Sequence, residues 1–151
     1  MKATQTNAIK RIIKNANRTD LNGIFTDASG RVCACDGFRA IRLTHDTPDG
    51  LPTVQGLPID KFFDVSRGWD LLAPTVAELQ AIIKTAKEKK QKPVYDFGED
   101  LPAVNAKYLL DMLRIFPDAT IYRSSGNAPK NKAILFESAH GDGLLLPLYK
   151  R

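Results

Sequence analysis

The chain has 151 residues with 43% hydrophobic and 26% charged, the profile of one ordinary globular domain, and two full domains are not expected. A chain of this length buries roughly 70% of the surface its unfolded form exposes, so neither cross-links nor a metal is needed for a core. The net charge is +5, concentrated at the start: residues 1–18 hold Lys2, Lys10, Arg11, Lys14 and Arg18 and no acid, while the rest balances at 17 against 17. Such a modest excess tolerates a polyanionic partner without demanding one. Two cysteines, Cys33 and Cys35, sit one residue apart, a poor disulfide frame and too few ligands for structural zinc. A reduced, cytoplasmic compartment is expected. No stretch approaches the roughly 20 apolar residues of a membrane span, and the polar start lacks the apolar core of a signal peptide.

In chain order, Ala8, Ile9, Ile12, Ile13 and Ala16 recur at helical spacing from Gln5 to Asn17, with Lys10, Lys14 and Arg18 beside Arg11 on another face. This predicts an amphipathic helix with a basic stripe. LNGIFTDASGRVCACDGFRAIRL predicts a three-strand antiparallel meander with turns at Ala28-Ser29-Gly30 and Asp36-Gly37. Residues 44–58, with three prolines and two glycines, predict a loop, and PIDKFFDVSRGW a short helix opened by Pro58. Thr75 and Glu78 spell a capping box for a helix whose stripe is Val76, Leu79, Ile82, Ile83 and Ala86. A strand is predicted at Pro93 to Phe97. A helix then runs from its cap Asn105 through Phe116, and ATIYRSS, KAILFES and GLLLPLY follow as three strands. The order is helix, three strands, an inserted loop-helix region at about 45–95, helix, three strands: a single α+β domain with an internal duplication of topology.

That order, with three stretches, resembles the sliding-clamp family of the bacterial DNA polymerase III beta subunit. VNAKYLLDML at 104–113 is similar to the family's helix opened by Asn with a Tyr-Leu-Leu-Asp core. AILFESAHGDGLLLPL at 133–148 is similar to its closing hairpin, and CACDGFRAIRL at 33–43 to a strand–Asp-Gly–strand corner. The resemblance implies a DNA-clamp-like domain, from a phage or mobile element, with helices facing duplex DNA. Lys10, Arg11, Lys14, Arg18, Lys107 and Arg114 would then meet phosphates, giving salt-sensitive and sequence-tolerant contact. It also implies a protein-binding groove at Leu146, Pro147 and Leu148, replication proteins (polymerase or clamp loader) as partners, and a homo-oligomer of about six domains joined by edge strands. The alternative is an adaptor or inhibitor of the same fold that binds a replication protein without encircling DNA.

Without the resemblance, a basic stripe is more often a solvated face, and the lysines of KEKKQK serve solubility. Cys33 and Cys35, on one face of a strand, are expected as buried apolar residues rather than metal ligands. His45 and His140 lie in turns and should be exposed. Asp36 is expected as a turn residue, and Trp69 with Phe62 and Phe63 as packing beneath the insertion, an interface being the second reading. SGNAPKNK lacks the second glycine and hydroxyl of a nucleotide loop. No catalytic constellation is evident, so neither an enzyme nor a cofactor is expected.

Overall fold

The two meanders expected from alternation each bury one apolar face, and they meet edge to edge to form one sheet. In the computed structural model, which describes residues 1–151, the first meander is β1 (Phe25–Thr26), β2 (Val32–Cys35) and β3 (Arg39–Leu43). The second is β7 (Thr120–Ser124), β8 (Ile134–Ser138) and β9 (Gly141–Leu145). Strands β3 and β9 run antiparallel, with Arg39 opposite Leu145 and Leu43 opposite Gly141. A further strand, β4 (Arg67–Leu71), joins β7, so the sheet order is β1-β2-β3-β9-β8-β7-β4. The order is palindromic about the β3–β9 seam for six of its strands, and the chain is α+β. Gly141 opens β9 at φ +148°, and a Cβ there would lie 2.0 Å from the Arg42 carbonyl oxygen, so the hairpin has room only for glycine.

The first helix, α1 (Ala3–Asn15), and α3 (Ala106–Ile115) lie side by side on one face of the sheet. They run antiparallel: Gln5 Nε2 donates to Ile115 O, Arg11 meets Asp111, and Asn15 meets Tyr108. Ile9, Ile12, Leu109, Met112 and Phe116 are fully buried against Ala34, Ile41, Ile121, Ile134, Phe136 and Leu145 of the strands. Helix α1 starts two residues earlier than its periodicity predicts because the Gln5 side chain accepts from the Lys2 N–H at 3.0 Å, capping the first turn. The Asn105 side chain caps α3, accepting from the N–H groups of Lys107 and Tyr108. The capping box of α2 (Val76–Glu88) forms as expected: Thr75 Oγ1 accepts from the Glu78 N–H at 3.1 Å, and the Glu78 carboxylate accepts from the Thr75 N–H at 3.3 Å. Leu79 then buries α2 against the main core.

The 45–95 stretch is woven into the domain. The helix expected from PIDKFFDVSRGW is absent beyond a single 3-10 turn at Ile59–Phe63, and the residues after it form β4. Gly68 disfavours a helix, and the residues around it form a bulged strand instead: the register with β7 slips between Arg67 and Asp70. Ile59, fully buried, joins Ala16, Leu21, Phe25, Cys33, Cys35 and Ala40 in a second core on the outer face, the side away from the helices. The expected Pro93–Phe97 strand is β5 (Val94–Asp96), paired with β6 (Ala103–Asn105), which the sequence pattern did not reveal.

Candidate nucleic-acid interface

Between the antiparallel helices a polar network replaces apolar packing. Asp111 Oδ1 accepts from Arg11 at 2.8 Å, and Asp111 Oδ2 accepts from the Arg39 guanidinium at 2.9 Å. Arg39 also donates to Asp36 Oδ2 at 3.0 Å, and the Asn15 amide bridges Asp36 at 2.9 Å and the Tyr108 hydroxyl at 3.2 Å. The guanidinium of Arg39 lies 4.2 Å from the centre of the Tyr108 ring. Asp36 thus does more than the turn role expected for it. Its Oδ1 accepts from the N–H groups of Phe38 and Arg39, fixing the Asp36-Gly37 turn, while Oδ2 ties the β2–β3 corner to α1. Two arginines against two aspartates leave this network neutral.

Above the network lies an open cleft of about 360 Å³ lined by Arg11, Lys14, Asn15, Lys107, Tyr108 and Asp111, with Arg39 at its floor. Here the six basic residues expected to meet phosphate divide. Lys14 and Lys107, one from each helix, converge on the cleft, are exposed and make no ion pair; Lys10 is also exposed and unpaired one turn away on α1. Arg11 reaches the cleft with its guanidinium committed to Asp111. Arg18 is spent outside it on Asp20, through hydrogen bonds from Nε at 2.9 Å and a terminal nitrogen at 2.5 Å. Arg114, half-buried, sits at the opposite end of the helix pair in a separate hollow with Lys2, Gln5, Asp46 and His140. Sequence periodicity named Lys10 and Lys14 and the clamp resemblance Lys107, but neither marked Asn15, Arg39 or Asp111 as lining a cleft. A signal was present: Asp111 is an acid amid the apolar positions of its helix, and Arg39 occupies an inward position of its strand.

The outer face carries a second charged cluster and an apolar groove. Arg42 pairs with Asp142 and, at 2.9 Å, with Asp60, and it lies 3.9 Å from the Phe63 ring centre; Arg31 pairs with Asp27 at 2.7 Å. Burial by itself would lower the Arg42 pKa, but the hydrogen bonds to Asp142 and Asp60 outweigh it and hold the guanidinium above its ordinary value. Burial pushes the Cys33 thiol up to about 12, with Asp27 and Asp60 adding to the effect, and burial also raises Cys35. Both thiols are buried side by side on one strand face. No group of three or more His, Cys, Asp and Glu side chains is placed to hold a metal ion. The two histidines are exposed.

The groove, about 330 Å³, is lined by Cys35, Phe38, Leu57, Phe62, Leu144 and Leu146 among others. Of the three residues expected at a protein-binding groove, Leu146 alone lines it, with 45% of its surface exposed. Pro147 and Leu148 belong to a tail held to the body: the N–H groups of Leu146 and Leu148 donate to Phe38 O and Ala103 O, and the Lys150 N–H donates to Asn131 Oδ1. The packing expected for Trp69 and Phe62 does not occur. Trp69 is 72% and Phe62 46% exposed, while Phe63 covers Arg42. No helix is long and apolar enough to cross a membrane. No protein-family model matches the chain, and neither a curated protein nor a solved structure does.

Proposed function

We propose that this chain is a non-enzymatic, clamp-like DNA-binding protein that grips the backbone of duplex DNA across α1 and α3. The observation that carries the reading is the convergence of unpaired Lys14 and Lys107 from two antiparallel helices on one open cleft, with Lys10 alongside. Ammonium groups on mobile stems neutralise phosphates without reading base edges, so binding would be sequence-tolerant and strongly salt-dependent. The neutral network beneath fixes the spacing of the helices that present them. Support also comes from the two helix-plus-meander units meeting at the β3–β9 seam, the order the clamp resemblance implies.

The test is fluorescence anisotropy of a labelled duplex against the protein over a range of salt. Tight binding at low salt that weakens linearly in log–log form, with a shallower slope for Lys10→Ala/Lys14→Ala/Lys107→Ala, supports the reading. No binding at low salt, or an unchanged slope in the triple variant, overturns it.

A second reading, an adaptor that binds a replication protein, is favoured by the outer-face groove with its exposed Phe38, Phe62 and Leu146. Exposed aromatic and aliphatic side chains around a concave site are what an inserted apolar side chain of a partner segment requires. It predicts capture of a polymerase or clamp-loader component that Leu146→Asp abolishes; capture that survives this substitution counts against it.

A further inference from the structure

Three helices end side by side. Helix α3 packs against both α1 and α2, which have no comparable interface with each other, so α3 is the middle one. The end of α1 reaches the start of α3 where Asn15 meets Tyr108. On the other side the Ala106 N–H donates to Pro93 O at 3.0 Å, and Val94 lies opposite Asn105 in the β5–β6 pair. The C-terminus of α2 is thereby brought against the N-terminus of α3, with Lys92 and Lys107 flanking that backbone bond. At about 8–10 Å between packed helix axes, the three ends together span roughly 20 Å.

The charge at the α2 end is one-sided. Lys84, Lys87, Lys89, Lys90 and Lys92 are all exposed, and none of them makes an ion pair. Glu88 is the only acid between residues 79 and 95. Lys89 and Lys92 line one open groove of about 610 Å³ between α2 and β5. The helix dipole accounts for lysines in a last turn, and solubility for exposed ones. Neither accounts for Lys90. The helix closes with a Schellman pair of bonds, Gln91 N–H to Ala86 O at 2.8 Å and Lys90 N–H to Lys87 O at 3.2 Å, and Lys90 is left at φ +54°. Glycine takes that left-handed position without strain. A lysine there costs stability, and strain of this kind gathers at functional positions.

We propose that the end of α2 extends the DNA-binding surface: the duplex crosses the three helix ends, its backbone running from Lys10 and Lys14 over Lys107 to Lys92, Lys90 and Lys89. This rests on the DNA reading and adds a helix that the cleft alone does not use. A path across the helices, and not along their axes, follows from where the unpaired charge sits. At the far end of α1 and α3, Arg114 and Lys2 share their hollow with Asp46, and no row of cations continues there. Lysines spread over three helices hold phosphates without reading bases, so the wider surface strengthens binding and its salt dependence together.

Anisotropy of a labelled duplex over a range of salt, with thermal melting of each variant, tests it. Lys89→Ala/Lys90→Gly/Lys92→Ala is expected to lower the slope of log affinity against log salt by about 2.7, or about 0.9 per lysine. Lys90→Gly alone should melt at a higher temperature than the parent protein and yet bind DNA more weakly, with a slope lower by about 0.9, whereas Lys90→Arg should keep the parent's slope. A gain in stability paired with a loss of binding is a result that a merely structural helix end does not give. A slope that responds to Lys14 and Lys107 but is indifferent to the α2 substitutions overturns this inference and leaves the cleft reading standing. No binding by the parent at low salt overturns both. Weaker binding by Lys90→Gly together with a lower melting temperature marks damage to the helix end and overturns the inference as well.

Discussion

Arg39 and Asp111 form a 2.9 Å ion pair with side chains only 2% and 8% exposed, joining a strand of the first meander to the helix that precedes the second. Charges so far from water are tolerated only when every lone pair and donor finds a partner. Asp36 supplies the second acceptor for Arg39, Arg11 the second donor for Asp111, and Asn15 the link to Tyr108. The bridge therefore registers the two halves of the domain against each other.

Asp111→Asn strands two arginines on half their acceptors and is expected to cost about 3 kcal/mol, within the range for breaking one partner of a buried pair. Removing Arg39 as well leaves the fully buried Asp36 carboxylate without its guanidinium, so Arg39→Met/Asp111→Leu should be at least as destabilising as Asp111→Asn. Urea unfolding of the three proteins checks this, and a double variant more stable than Asp111→Asn would contradict it.

Lys14→Ala and Lys107→Ala are each expected to leave stability within about 0.5 kcal/mol of the parent, as exposed residues without partners do. On duplex DNA each should reduce the slope of log affinity against log salt by about 0.9, one phosphate's worth of released counterions. Arg11→Ala should behave in the opposite way, lowering the melting temperature through Asp111 and changing the salt slope less than either lysine.

The buried Cys33 thiol titrates about 12, above the unfolded value, so the native state holds its proton more firmly than the unfolded chain. Its contribution to stability is fully present below the unfolded thiol pKa and is lost as pH rises through the alkaline range towards 12. Native protein at pH 8 should react with Ellman's reagent only as fast as it opens, and both thiols should react at once in denaturant. The Cys33→Ser variant should show a smaller alkaline loss of stability between pH 9 and 11.

The Lys150 ammonium is held by Asp96 at 2.6 Å, Leu101 O at 2.7 Å and Gly98 O at 3.0 Å. Its hydrogen bond keeps the Asp96 carboxyl below its ordinary pKa, so its contribution is fully present above the unfolded carboxylate pKa and is lost as pH falls on through the lowered native value. Lys150→Ala should speed amide exchange at Leu148 and at position 150 with little change in global melting temperature. Acidification of the parent protein should produce the same local signature before unfolding.

Periodicity and caps were enough to read α1, α2, α3 and both meanders, because each buries a single apolar face and so writes a regular pattern. Strand β4 escaped, since RGWDL has no alternation and is half solvent-exposed; only its neighbours in the sheet make it a strand. Strand β6 escaped because its three residues abut the cap of α3 and read as part of the helix entry. For the cleft, charge and spacing singled out Lys14 and the clamp resemblance added Lys107, yet Arg11 and Arg18 looked equivalent to them until their aspartate partners were known. Ion pairing across a hundred residues, as between Arg11 and Asp111, leaves no local pattern.

The β3–β9 seam has a consequence for how the protein is made. Its partners, Arg39 with Leu145 at one end and Leu43 with Gly141 at the other, are separated by roughly a hundred residues of chain. During synthesis the first meander and α1 must wait, their inner faces uncovered, until β9 has emerged. A central ladder closed so late gives the domain a high contact order and a slow final step, so exposure to chaperones is built into its topology.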